Sequence, residues 1–172
     1  MKTDAEKIIQ FTILYNRYKK KLYNFLLKLS NDEMAAEDIV QSVFLKFYEN
    51  FESVKNIESV NFWIFKSARN EFYNYYKQNK RKIELYENFT ENKKDEFELE
   101  NFVELKEMKK IIFDELDKMD NEQKEVYLLK EYGGLSYKEI SETMNIDIDL
   151  VKSRLYKVRQ KLINKISKII EH

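Results

Sequence analysis

Two short helical patterns with a tight turn between them make up LSYKEISETMNIDIDLVKSRLYKVRQK, the sequence from Leu135 to Lys161. Ser136 is a suitable N-cap for a first helix through Met144. Asn145 is a residue type that tolerates the left-handed conformation of a turn, and Asp147 is placed to cap a second helix. This order predicts a helix-turn-helix motif, whose second helix enters the major groove of duplex DNA.

The second helix of this motif is basic along its whole length. From Lys152 to Lys168 every charged residue is Lys or Arg, and apolar residues recur with helical spacing on the other side. Lysines late in a helix complement its dipole without any ligand, which accounts for Lys165 and Lys168. It does not account for Lys152 and Arg154, because positive charge is unfavourable at the start of a helix. We therefore favour contact with DNA over a merely basic surface.

The composition is typical of a helical protein. Its 172 residues suffice for one ordinary domain or two small ones, and 43% hydrophobic with 15% aromatic residues excludes a fully disordered chain. There is no proline and there are only 2 glycines, so few residues interrupt helices. The sequence predicts an all-α fold.

The composition also argues against an enzyme and against a bound cofactor. The chain has no cysteine and its one histidine is His172, which argues against a cysteine and histidine zinc site and against histidine catalysis. No paired carboxylates share a helical face in the sequence pattern. No apolar run approaches the length of a membrane span and no apolar signal segment follows Met1, so we expect a cytoplasmic protein without membrane insertion.

The charges are separated along the chain, although the formal net charge is zero. The segment from Lys66 to Lys82 is basic, and the segment from Glu84 to Glu107 is mainly acidic. Helical periodicity is lost after Lys82 and resumes in the second half of the acidic segment. We therefore predict two small helical domains, residues 1–82 and 96–172, joined by an acidic linker at residues 83–95.

The pattern of the first domain predicts a bundle of three or four helices. One helix is expected over Met34 to Phe51 and another near Ser59 to Lys80, where aromatic residues are interleaved with lysine and arginine residues. Such a surface suits single-stranded nucleic acid, on which each stacked base contributes about 1 to 3 kcal/mol, but it also suits a dense helical core. We assign most of these rings to the core and leave both interpretations open for Tyr73, Tyr75 and Tyr76.

Three segments together resemble the extracytoplasmic-function (ECF) group of the bacterial sigma-70 family. They are SNDEMAAEDIVQSVFLKFYENF, NFWIFKSARNEFYNYYKQNKRK and LDKMDNEQKEVYLLKEYGGLSYKEISETMNIDIDLVKSRLYKVRQKL. None of them alone is decisive, but their order is specific, and the resemblance covers almost the whole chain. It implies a sigma2-like bundle, a sigma4-like helix-turn-helix domain and, as partners, core RNA polymerase, promoter DNA and commonly an anti-sigma factor.

The resemblance also implies roles for particular residues. The residues implied to dock on the polymerase clamp are Glu37, Asp38 and Gln41. Those implied to capture the single-stranded downstream promoter element, with the loop from Phe51 to Asn61, are Asn70, Asn74, Lys77 and Lys80. Those implied to read the upstream element as duplex are Lys152, Ser153, Tyr156 and Lys157 near base edges, with Arg154 and Arg159 on phosphates.

One departure from the family pattern leaves the base preference open. Asp149 adds a negative charge at the groove-facing end of the second helix, and a carboxylate can accept from a cytosine amino group or repel phosphate. Two other classes of protein also remain open. A helix-turn-helix regulator that acts without polymerase would bind duplex DNA tightly by itself, usually as a dimer. A non-catalytic interaction bundle would leave transcription unchanged on any template.

Overall fold

The computed structural model describes residues 2–54, 56–86 and 103–172, and every regular element in these ranges is a helix. The elements are α1 (Asp4–Ser30), α2 (Glu33–Glu49), a 3-10 turn (Phe51–Ser53), α3 (Ile57–Tyr86), α4 (Val103–Asp117), α5 (Asn121–Glu131), α6 (Tyr137–Met144) and α7 (Ile148–Ile170). The all-α prediction is confirmed. The first three α-helices form one bundle, and α4 to α7 form the second domain.

The turn between α1 and α2 follows directly from two adjacent polar residues. Asn31 ends α1 in the left-handed conformation, with φ 53°, and Asp32 caps α2 by accepting a hydrogen bond from the backbone N–H of Ala35 at 3.1 Å. The two helices therefore pack against each other, and α3 packs against both. Their shared core is aromatic, with the rings of Phe25 and Phe65 centred 5.3 Å apart.

Helix α3 is longer than the sequence pattern indicated. It continues through Tyr86, into the segment predicted as linker, because no glycine or proline ends it there. The rest of that segment lies outside the described residues, so the linker at residues 83–95 and the two domain bounds stay predictions. Among the described helices, none is both long and apolar enough to cross a membrane.

The connection between α5 and α6 needs both glycines of the chain. A Cβ atom added at Gly133 would lie 2.5 Å from the backbone oxygen of Leu129, and Gly134 has φ +63°. The turn directs α6 back across α5, where Leu135 and Ile140 are completely buried. A second, smaller core joins α4 to the later part of α7 and consists of Leu116, Met119, Val158 and Leu162.

The helix-turn-helix prediction is confirmed, with one difference in capping. Ser136 accepts a hydrogen bond from the N–H of Glu139 at 3.1 Å, and Asn145 ends α6 with φ 54° and ψ 51°. Asp147 is the N-cap residue of α7, as predicted, but its side chain makes no capping hydrogen bond. Its carbonyl oxygen instead accepts from the N–H of Val151 at 3.1 Å.

The two domains pack directly against each other, α1 on α5 and α3 on α6. Apolar residues of both domains belong to one continuous cluster. Polar contacts surround it: the Nζ of Lys28 lies 3.8 Å from the ring centre of Phe113, and the Nδ2 of Asn31 donates to Asp117 at 3.2 Å. Burial lowers the pKa of Lys28, while the nearby Asp117 raises it.

Candidate nucleic-acid interface

One side of α7 is exposed and polar, while the opposite side fixes the helix in the second domain. Val151 and Val158 are completely buried, and Leu155 nearly so, so the helix cannot rotate without uncovering them. The exposed side then carries four of the predicted DNA-binding residues on adjacent turns: Lys152, Ser153, Tyr156 and Lys157. This arrangement matches a recognition helix, whose side chains must be free to reach base edges.

The four residues differ in how far neighbours already hold them. The Tyr156 side chain is 65% exposed, and no carboxylate of the described residues pairs with Lys157. The Nζ of Lys152 lies 5.9 Å from the ring centre of Tyr137, at the start of α6. The exposed Asp149 lies one turn before Ser153, so a negative charge does border this surface.

Arg154 and Arg159 are each held by a carboxylate of α5. Arg154 donates to Glu122 at 2.7 Å and its side chain is only 17% exposed, while Arg159 donates to Glu131 at 3.0 Å. The hydrogen bond to Glu131 also raises the pKa of Arg159. These two residues therefore brace α7 against α5 in this structure, and a phosphate would have to compete with both carboxylates.

A second polar surface runs along α3. Asn70, Asn74 and Lys77 are exposed and lie three or four residues apart, which aligns them on one side of the helix. The backbone at Lys80 continues the same helix, but the Lys80 side chain is outside the described part of the chain. The two asparagines therefore stand where amide groups are free to bond an unstacked base.

The aromatic residues of α3 belong largely to the core. Phe65 is completely buried, and Phe62, Trp63 and Phe72 pack around the main cluster, as the sequence predicted. Tyr75 packs against the main cluster, and the ring of Tyr76 is centred 4.8 Å from that of Phe72. Burial accordingly raises the pKa of Tyr76 to about 12 and also raises that of Tyr75. The structure therefore favours the core interpretation for Tyr75 and Tyr76.

The exposed side of α2 presents a third surface. Asp38 and Gln41 lie at its centre, and Glu37 lies beside them, all three exposed and without an ion pair or hydrogen bond to another described side chain. Met34, 74% exposed, and Leu45, 62% exposed, extend the same side in both directions. A polar centre with large apolar side chains at both ends is typical of a protein interface. Met34 and Leu45 were not predicted, because helical spacing alone does not show which apolar residues stay uncovered.

Comparisons with known proteins identify the family of the chain. A model described as sigma-70 region 2 matches residues 14–82, and one described as sigma-70 region 4 matches residues 109–162. The ECF RNA polymerase sigma factor SigM of Bacillus subtilis (strain 168) is 32% identical over 152 residues, which are 87% of this chain and 90% of SigM. The chain belongs to the ECF group of the sigma-70 family.

Other relatives give the same result. The ECF RNA polymerase sigma-E factor of Haemophilus influenzae is 28% identical over 170 residues, covering 93% of this chain and 89% of that protein. The sigma factor RpoE of Bartonella quintana, solved in complex with the anti-sigma factor NepR, has a TM-score of 0.75 at 23% identity, covering 92% of this chain and 97% of that one. The latter likeness shows a common fold. All the predicted site residues of this sigma factor lie within the two matched regions.

One polar cluster of this sigma factor was not predicted. The Arg69 guanidinium of α3 pairs with the Glu125 carboxylate of α5, and the Tyr73 hydroxyl donates to the same carboxylate at 2.7 Å. Burial and the Glu125 charge raise the pKa of Tyr73 to about 12. The sequence places these residues in different domains, so their meeting depends on how the domains pack.

Proposed function

We propose that this sigma factor binds core RNA polymerase and directs it to promoters with two elements, the upstream one read as duplex and the downstream one captured as single strand. The observation that carries the proposal is the exposed polar side of α7. The basic residues of this side lie opposite an apolar side that is buried in the fold. A helix that enters the major groove requires this arrangement. Lys152, Ser153, Tyr156 and Lys157 would approach base edges, and Arg154 and Arg159 would approach phosphates after leaving their carboxylate partners.

The exposed side of α3 supports the single-strand part of the proposal. Asn70 and Asn74 offer both donors and acceptors to the edge of an unstacked base, and Lys77 and Lys80 follow on the same helix to meet the phosphate backbone. The segment predicted as a loop, Phe51 to Asn61, holds the 3-10 turn and the first residues of α3, which begins at Ile57. It directly precedes this surface in the chain and would complete the capture site.

The exposed side of α2 supports polymerase binding. Glu37, Asp38 and Gln41 would make the polar contacts, and Met34 and Leu45 would bury their side chains against the partner. An anti-sigma factor is the further partner in this proposal, because the relative RpoE was solved in complex with one.

Run-off transcription tests the proposal. Purified bacterial core polymerase with and without the chain would transcribe genomic fragments, and new start sites would be mapped. We expect chain-dependent starts that share a two-part motif. Duplex binding without core, together with unchanged transcripts, would instead indicate the helix-turn-helix regulator, and neither binding nor new transcripts would indicate an interaction bundle.

A matched pair of variants separates duplex reading from general charge. K152A/K157A removes two lysine side chains from the exposed side of α7, and K165A/K168A removes two lysine side chains from its later turns. We expect the first variant to lose the chain-dependent starts while it still binds core, and the second to keep them. Equal loss in both variants would refute the placement of the reading surface.

A further inference from the structure

An ion pair joins α2 to α3 beside the proposed single-strand surface. The Nζ of Lys46 pairs with the carboxylate of Glu71. Glu71 directly follows Asn70 and lies three residues before Asn74, so it borders the exposed amides of α3. It is also the only acid in the sequence from Lys66 to Lys82. The pair therefore places a positive charge next to the one carboxylate of this segment that would repel a phosphate backbone.

The backbone of Lys46 lies where the segment predicted as a loop is about to begin. Lys46 is in the last turn of α2, and the Nδ2 of Asn50, the residue after the helix, donates to its backbone oxygen at 2.8 Å. The 3-10 turn follows directly. A lysine in the last turn of a helix complements the helix dipole without any ligand. The side chain of Lys46, however, extends from the end of α2 to α3, and so it joins the two parts of the proposed capture site.

The ammonium group of Lys46 is held in place and is still accessible. The side chain of Lys46 is 49% exposed, whereas that of Glu71 is only 16% exposed. An ammonium group has three N–H donors, and in the described part of the chain Glu71 accepts the one hydrogen bond that Lys46 donates. A phosphate oxygen can therefore bind the same nitrogen without displacing the carboxylate. Arg154 differs in this respect, because its side chain is 17% exposed and a phosphate must compete with Glu122.

We propose that Lys46 binds a backbone phosphate of the single-stranded downstream element and that Glu71 is its positioning residue. The proposal rests on the proposed function, since it adds a contact from α2 to the same capture site. Glu71 holds the ammonium group in one direction, so less side-chain freedom is lost when the phosphate binds. Lys46 in turn offsets the negative charge of Glu71 near the strand. The strand is thus held from α2 as well as from α3.

The salt dependence of binding tests the proposal on the complex of this chain with core polymerase. The probe is a fluorescein-labelled single strand with the non-template sequence of a start site mapped by run-off transcription. For single strands, each phosphate contact contributes about 0.7 to the slope of log affinity against log salt concentration. We expect K46Q to lower this slope by about 0.7 and to weaken binding several-fold at low salt. K46R keeps the charge and should stay close to the wild type in both.

K118Q is the matched control for K46Q. Lys118 pairs with Glu115 in the second domain at 2.8 Å, and the Glu115 side chain is 18% exposed, close to the value for Glu71. The substitution removes one positive charge from a similar ion pair away from the capture site, so the wild-type slope should remain. E71Q should also keep the slope, because Lys46 retains its charge, but its affinity should fall about twofold because the ammonium group is no longer held.

Three results would overturn the inference and leave the sigma function intact. A K46Q chain that is folded by circular dichroism and keeps the wild-type slope would show that the ion pair only joins α2 to α3. A K46Q chain that binds core polymerase more weakly without DNA would assign Lys46 to the polymerase-binding side of α2. Tighter strand binding by E71Q would refute the positioning role. Absence of core-dependent start sites with the wild type would instead refute the proposed function, on which the probe depends.

Discussion

Lys157 and Arg154 are two basic residues of one helix that differ in exposure and in pairing. Lys157 is exposed and unpaired among the described side chains, whereas Arg154 is mostly covered and held by Glu122. The sequence showed that both are basic and lie on α7. It could not show that a glutamate of α5, 32 residues earlier, holds one of them. At the scale of single residues, then, the sequence predicts the charge of a site better than its availability.

Lys157→Ala should weaken binding to the upstream element by about 1 to 3 kcal/mol if the lysine bonds a base edge. The measurement is competition between the matched promoter and an unrelated duplex of equal length in the presence of core polymerase. K168A, near the end of the same helix, is the control and should leave the competition unchanged. An equal loss on both duplexes would assign Lys157 to phosphate.

Asn145 gives a prediction about the turn before the recognition helix. Its left-handed backbone, with φ 54°, is disfavoured for residues that have a Cβ atom and no local polar side chain. Asn145→Ala should lower the free energy of unfolding by about 1 kcal/mol, and Asn145→Gly should leave it close to the wild-type value. Urea unfolding followed by circular dichroism checks both, and an alanine variant as stable as the wild type would contradict the backbone argument.

Whole elements were predicted best where periodicity and capping agree. The start and the end of α6 could be identified from Ser136 and Asn145, because capping and local backbone preference are enough to place them. The outer side of α1 shows the limit of an apolar pattern. Ile9 and Ile13 fit its apolar pattern, but they are 60% and 54% exposed, since no other described helix covers that side. Periodicity indicates which side of a helix is apolar, but not how much of that side other helices bury.

The exposed side of α2 carries the prediction for polymerase binding. Asp38→Ala and Leu45→Ala should each reduce the affinity for core polymerase several-fold without changing the unfolding midpoint, because both side chains are free of the core. I13A removes a comparably exposed apolar side chain from α1 and is the matched control for L45A. Core affinity in a pull-down that is unaltered by both substitutions would refute the assignment of this surface.

At the scale of the whole molecule, the decisive contacts are those between domains. Arg69 and Glu125 are 56 residues apart, and neither domain's own pattern indicates that they meet. The same is true of Asn61 and Gly133. These contacts depend on which surfaces of two folded units fit together, which helical spacing does not encode. For that reason helical spacing could predict which residues of α3 and of α7 share a side, but not that Arg69 and Tyr73 meet Glu125.

The packing of the whole molecule also sets its response to alkali. Burial raises the pKa of Tyr73, Tyr76 and Tyr132 to about 12, whereas a tyrosine in the unfolded chain titrates near 10. The folded state therefore binds more protons than the unfolded state above a pH of about 10. The stability that these groups contribute is complete below that pH and is lost as the pH rises through about 12. Lys28, whose pKa is lowered by burial, acts in the opposite direction.

We therefore expect the free energy of unfolding to fall steeply once the pH exceeds about 10, with Tyr132→Phe giving a shallower fall because one titrating group is gone. Urea unfolding at a series of alkaline pH values measures the slope, and tyrosinate absorbance of the folded chain measures the titration itself. Folded-state absorbance that titrates entirely near pH 10 would mean that packing does not protect these phenols.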